Sequence, residues 1–172
     1  MHTGTMHEAY ISVRSASKSD VRALVRVFRD SWQNAYRGII PYSNLDAMIR
    51  RRDASYWQNL ASSRKSPLIL EVNRTVAGYA TFGRARRRGP YQGEIYELYL
   101  APVYQGLGFG EYLFESSRQH LDASGARGLV VWALSDNEPA CEFYMRRGGT
   151  LFARTTEQIG GVDLPKTAFA WQ

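Results

Sequence analysis

Gln105-Gly-Leu-Gly-Phe-Gly110 sets glycines at alternate positions, between the apolar run of residues 95–100 and a helix-like stretch of residues 111–121. A glycine-rich turn between strand and helix exposes several backbone N–H groups at a helix N-terminus, where a phosphate can sit. Three phosphate-binding patterns compete for these glycines. A Walker A loop needs Lys-Ser/Thr after its last glycine to reach the β/γ-phosphates and hold magnesium, but Glu111 and Tyr112 follow Gly110. A dinucleotide fingerprint needs GxGxxG in an early βα turn, with an acid about 20 residues on. Here the last two glycines are separated by a single residue, and the loop lies past mid-chain. What is left is Gln-x-x-Gly-x-Gly, carried by Gln105, Gly108 and Gly110, or a turn whose glycines serve only tight packing.

With 172 residues, 44% of them hydrophobic, the chain fits one globular domain. That domain is expected over residues 9–172, behind a flexible N-terminal tail of residues 1–8 in which Met6 offers a second start. No apolar run is long enough to cross a membrane, and the first ten residues lack the core of a signal peptide, so a cytoplasmic protein is expected. The single cysteine, Cys141, excludes an intramolecular disulfide and a multi-cysteine metal site. Two of the three histidines fall within residues 1–7, which argues against a histidine metal centre, so no metal is expected. A net charge of +6 favours anionic partners. The tight basic cluster is Arg84-Ala-Arg-Arg-Arg88. It reads as a solvated loop, as a rim attracting an acidic substrate or coenzyme phosphates, or as a nucleic-acid contact. The aromatic interleaving of single-strand binders is not evident there, which argues against nucleic acid.

The elements that must position the loop follow from periodicity. Residues 10–14 alternate as a strand, and Val21, Leu24, Val25, Phe28 and Trp32 recur at helical spacing. Gly38 and Pro41 interrupt that helix, and residues 44–51 and 53–60 read as further short helices. Residues 68–72 and 75–82 form a β-hairpin across Asn73-Arg74. A strand over 94–100 stops at Pro102, a helix runs from the glycine loop to about Asp122, and the apolar run 129–134 suits a buried parallel strand. Pro139 sits in the first turn of a helix that Gly148-Gly149 ends, and closing strands are expected over 150–154 and 166–171. The fold class is α+β, a mixed α/β sheet in one domain, in the order β-α-α-β-β-β-α-β-α-β-β.

This order resembles that of the GNAT superfamily of acetyl-coenzyme A-dependent N-acetyltransferases, and the glycine loop resembles its pyrophosphate-binding loop. Asn137-Glu-Pro-Ala140-Cys-Glu-Phe143-Tyr144, followed by Arg146-Arg147-Gly148-Gly149, is similar to the family's segment after the fifth strand. Gly149 departs from the usual aromatic, which implies a lost packing contact and leaves the chemistry alone. Ser31-Trp-Gln-Asn-Ala-Tyr-Arg-Gly38 and Pro41 resemble the region of the first two helices in many bacterial members. The resemblance implies that strands four and five splay and that pantetheine of acetyl-coenzyme A pairs with the free edge at Leu98, Tyr99 and Leu100. Gln105, Gly106, Leu107, Gly108, Phe109, Gly110 and Glu111 would then surround the pyrophosphate, with Ala140 and Phe143 on the coenzyme. Asn137 either contacts pantetheine or caps its helix.

Acetyl transfer to an amine needs a neutral amine, a polarised thioester carbonyl and a proton for the departing thiolate. At pH 7 a lysine-like amine is neutral in only about one molecule in 2,500, a cost of about 4.6 kcal/mol, so a base is useful. The resemblance places Glu94 in the register of that base, with Glu97 as the alternative. On a regular strand the two point to opposite faces, so one of them faces the cleft and the other is a surface carboxylate. The resemblance implies that a backbone N–H of strand four near Leu100 polarises the carbonyl. Tyr144, which the resemblance places near the coenzyme sulfur, would give the thiolate its proton; the alternative is a packed aromatic. Trp32, Tyr36 and Arg37 would line the acceptor side, although Trp32 also completes the apolar stripe. Tyr91, Tyr96 and Tyr99 divide between packing and substrate stacking, and Cys141 reads as a small packed residue. The activity implied is direct transfer, in a ternary complex, to a primary amine of a small molecule or protein. A coenzyme-binding regulator with little catalysis is the alternative, and a homodimer fits the family.

Overall fold

The computed structural model describes residues 9–172, and the tail expected over residues 1–8 lies outside them. The chain runs β1 (Ile11–Ser15), α1 (Val21–Tyr36), α2 (Tyr42–Arg51), α3 (Ala54–Ala61), β2 (Leu68–Val72), β3 (Thr75–Arg84) and β4 (Gly93–Leu100). It continues through α4 (Gly110–Ala123), β5 (Leu129–Leu134), α5 (Glu138–Arg146), β6 (Thr150–Ile159) and β7 (Val162–Trp171). All seven strands form one sheet in the order β1-β2-β3-β4-β5-β7-β6. Only β4 and β5 pair in parallel, joined by the crossover through α4. No helix among the described residues is long and apolar enough to cross a membrane.

The apolar stripe of α1 buries Leu24, Val27 and Phe28 against Ile69 and Tyr79 on one sheet face, with Trp57 of α3 closing the layer. On the other face Phe114 of α4 packs with Ile95, Val131 and Phe169. Each such side chain contributes about 1.5–3 kcal/mol by leaving water. Local signals set the element ends. Asp53 caps α3 by accepting from the Tyr56 N–H at 2.9 Å, and Asn73 and Arg74 both adopt the positive φ of a two-residue hairpin turn.

Two features depart from the sequence expectation. The closing hairpin is longer, turning at Gly160-Gly161, whose positive φ values allow the tight reversal. Its tip strands are polar and largely exposed, so they lack the apolar alternation that marks a half-buried strand. The second departure lies in β4. Thr81 pairs with Glu97 and Phe82 with Ile95, which leaves Tyr96 as a bulge. Glu94 pairs with Gly83, two residues from Thr81. Glu94 and Glu97 therefore share the face turned away from α4, instead of the opposite faces of a regular strand.

Candidate active site

β4 and β5 pair only over Gly93–Leu129, Glu94–Val130 and Ile95–Val131. Beyond these three the strands separate, because β5 continues beside β7 while β4 stays on β3. A cleft of about 620 Å³ opens at the split. Its walls are the end of β4 (Leu98, Tyr99, Leu100), the glycine loop, and one face of α5 from Asn137 to Arg147.

Gly106 and Gly108 hold φ values of +74° and +84°, which side chains rarely adopt. Gly110, the first residue of α4, is needed for another reason. A Cβ there would stand 3.0 Å from Cε2 of Phe143. Gln105 anchors the loop by donating from Nε2 to the Leu100 carbonyl at 2.9 Å. Among the described residues, the N–H groups of residues 106–111 meet no protein acceptor. They stand unpartnered at the positive end of a 14-residue helix, an arrangement suited to an anion such as pyrophosphate. Glu111 and Leu107 flank this nest without lining the cleft.

On α5, Asn137 caps the helix, accepting from the Ala140 N–H at 3.4 Å, and its buried side chain also lines the cleft. Phe143 is covered by the Arg147 guanidinium at 4.0 Å. Arg147 approaches Glu111 at 3.7 Å, and its buried Nε meets no partner. Tyr144 is buried between Phe114, Phe169 and Trp171 yet reaches the cleft. Burial raises its phenol well above the ordinary value, so it is protonated throughout the physiological range. Where the resemblance calls for an aromatic at position 149, the space is filled from elsewhere. A Cβ on Gly149 would meet the Trp171 ring at 2.6 Å. Trp171 thus supplies the packing expected to be lost.

The remaining predicted residues divide. The Tyr36 hydroxyl hydrogen-bonds that of Tyr99, and burial raises both phenols. Trp32 stacks on Phe28 at 4.6 Å and Arg37 ends α1; neither lines the cleft. Ser31, Asn34 and Ala35 face it instead. They lie at i, i+3 and i+4, along the polar edge beside the apolar stripe, a signal readable from sequence. Glu97 accepts from Tyr79 Oη at 2.8 Å and Arg52 Nη2 at 3.0 Å, enclosed under α3. Glu94 is buried and held by Arg86, at 3.1 Å from Nε and 2.6 Å from Nη2. It opens on a second, smaller pocket across the sheet from α4. Neither carboxylate lines the cleft. Cys141 packs against the core around Phe114, and burial raises its thiol.

A family model described as acetyltransferase (GNAT) matches residues 25–149. The sequence is 29% identical to YuaI, an uncharacterized N-acetyltransferase of Bacillus subtilis, over 94% of this chain and 92% of that protein. The fold matches the PaiA N-acetyltransferase of Thermoplasma acidophilum, solved in complex with coenzyme A, with a TM-score of 0.74 at 20% identity. That match covers 91% of this chain and 98% of the other. YncA of Salmonella typhimurium, solved with acetyl-CoA, matches with a TM-score of 0.67 at 22% identity, over 95% and 94% of the two chains.

Proposed function

This chain belongs to the acetyltransferase (GNAT) family, and on that premise we propose that it moves an acetyl group from acetyl-coenzyme A to a primary amine by direct transfer in a ternary complex. The observation that carries this reading is the row of unpartnered N–H groups at residues 106–111, opening into the cleft at the β4–β5 split. When bound, acetyl-coenzyme A supplies an activated acyl group and a thiolate leaving group. The loop N–H groups hold the pyrophosphate, each charge-assisted bond contributing roughly 1.5–3 kcal/mol. The free edge of Leu98, Tyr99 and Leu100 pairs with the pantetheine amides. Ala140 and Phe143 form the apolar wall opposite, and Asn137 sets the start of α5.

In the transfer, a bond forms between the amine nitrogen and the acetyl carbon while the carbon–sulfur bond breaks. The amine reacts neutral, its ammonium proton having gone to solvent. Once bonded to the acyl carbon, its nitrogen gives a second proton to a base, and the sulfur takes one from an acid. Exchange through water returns the proton from base to acid. Tyr144 is the acid, because its neutral phenol is buried at the cleft wall. Glu94 receives the amine proton, directly or through water, because it borders the second pocket, whereas Glu97 borders neither pocket and accepts from Arg52 and Tyr79. Tyr36 reaches the cleft only through its bond to Tyr99, which lines it. Steady-state thiol release with a panel of amines tests the reading. Release that depends on both acetyl-coenzyme A and an amine supports it, and coenzyme binding without release opposes it.

A further inference from the structure

The second pocket, of about 300 Å³, lies on the sheet face that carries Glu94 and is lined by Arg87, Arg88, Tyr91, Trp132, Phe152 and Arg154. It forms where three distant segments meet. The loop between β3 and β4 brings the arginines, β5 brings Trp132, and β6 brings Phe152 and Arg154. Tyr91 and Phe152 meet edge to face at 4.9 Å and wall one end. The Arg87 guanidinium lies 4.8 Å from the Trp132 ring centroid. A guanidinium stacked in this way keeps its N–H edge free for a planar acid.

Charge here is unbalanced. Arg87, Arg88 and Arg154 pair with no carboxylate among the described residues. The pocket's one carboxylate, Glu94, is already neutralised by Arg86 at 2.6 Å. Lys166, 5.3 Å from the Trp132 ring centroid, adds a further cation beside the pocket, although Glu157 approaches it at 3.5 Å. Three unpaired guanidiniums around an aromatic floor are suited to a small molecule that carries a carboxylate or phosphate beside a flat body. The size falls at the small end of ligand pockets and argues for a small molecule over a protein segment.

The pocket also borders the split. Paired strands end at Ile95 and Val131, and Trp132 is the next residue of β5. Leu98 and Tyr99 line the cleft, on the β4 side of the same opening. We propose that this pocket is the acceptor subsite and that the acceptor is a small amine bearing an acidic group. This inference rests on the acetyl-transfer reading above.

Matched amines test it: phenethylamine against L-phenylalanine adds a carboxylate, and tyramine against O-phosphotyramine adds a phosphate. The acidic member of at least one pair is expected to show a kcat/KM higher by tenfold or more. In R87A/R154A that preference falls to near unity, mainly through KM, while coenzyme A affinity is unchanged. Equal rates within both pairs, a preference that survives in the variant, or a fall in coenzyme A affinity overturns the proposal. The last result would place the coenzyme's own phosphates in the pocket. If no amine is acetylated, the acetyl-transfer reading fails separately, and calorimetry with phenyl phosphate decides whether the pocket binds acids. Binding that is lost in R87A/R154A supports an acid site there, and binding equal in both proteins, or none, overturns it.

Discussion

Gly110 lies beneath the ring of Phe143, so close that a Cβ at position 110 would stand 3.0 Å from Cε2 and 3.3 Å from Cζ. This contact joins the two segments that carry the family resemblance, the glycine loop and α5. It makes the position of one depend on the other. The ring has little freedom to retreat, since Arg147 covers it at 4.0 Å and Phe114 and Tyr144 lie beside it.

Gly110→Ala therefore acts through packing and Gly108→Val through backbone conformation. Gly110→Ala should cost roughly 1–3 kcal/mol of stability by overpacking and weaken coenzyme A about tenfold as Phe143 shifts. Gly108→Val places a β-branched residue at a φ of +84° and should abolish binding, because the loop cannot keep its N–H groups convergent. Calorimetric titration with coenzyme A on both variants checks the pair. Retained affinity in Gly108→Val would remove the loop from coenzyme recognition.

Tyr144→Phe should lower kcat by about 10²-fold, the smaller end of the range for a positioned acid, and leave coenzyme A affinity nearly intact. Because burial holds the phenol neutral, Tyr144 should add no descending limb to the pH profile below about pH 10. The ascending limb should follow the acceptor amine. Turnover unchanged in the phenylalanine variant would exclude the acid role.

Glu94 and Glu97 share a sheet face, yet their variants should separate. Arg52 and Glu97 are both largely enclosed, at 21% and 15% side-chain exposure. Glu97→Gln breaks that pair and should destabilise the protein by roughly 3 kcal/mol. Glu94 is itself buried, but its partner Arg86 is 63% exposed and can return to water, so Glu94→Gln should cost less, roughly 1–2 kcal/mol for the charge-assisted bonds it loses, while reducing kcat. Thermal melts and turnover of both variants give the comparison. A stable Glu97→Gln that has lost turnover would transfer the base to Glu97.

Burial raises the phenols of Tyr36, Tyr79, Tyr99 and Tyr144 above the ordinary value. Their stabilising effect is complete below the unfolded-state value, near about pH 10. It is lost as pH rises from there through the folded-state values, since only the unfolded chain then releases those protons. The urea midpoint should hold level up to about pH 9.5 and fall above it. A midpoint unchanged at pH 11 would contradict the packing of these rings.

The glycine loop and the start of α5 were legible from sequence because their constraints are local. Glycine spacing, the Pro102 stop and the Asn137 cap each act within a few residues. On α1 the apolar stripe ending at Trp32 packs against the core, and the adjoining edge at Ser31, Asn34 and Ala35 faces the cleft. The β4 bulge at Tyr96 left no sequence mark, because register is set by pairing with β3. Arg87, Trp132 and Arg154 are far apart in the chain. They meet only because β7 inserts between β5 and β6.

Acetyl transfer itself is tested most directly by following free thiol and acetylated amine together, with acetyl-coenzyme A and a panel of amines that includes acidic ones. One thiol is expected for each amine acetylated, at a rate that falls steeply in Tyr144→Phe and is absent in Gly108→Val. Tight acetyl-coenzyme A binding with no amine-dependent thiol release, for any amine in the panel, would contradict acetyl transfer.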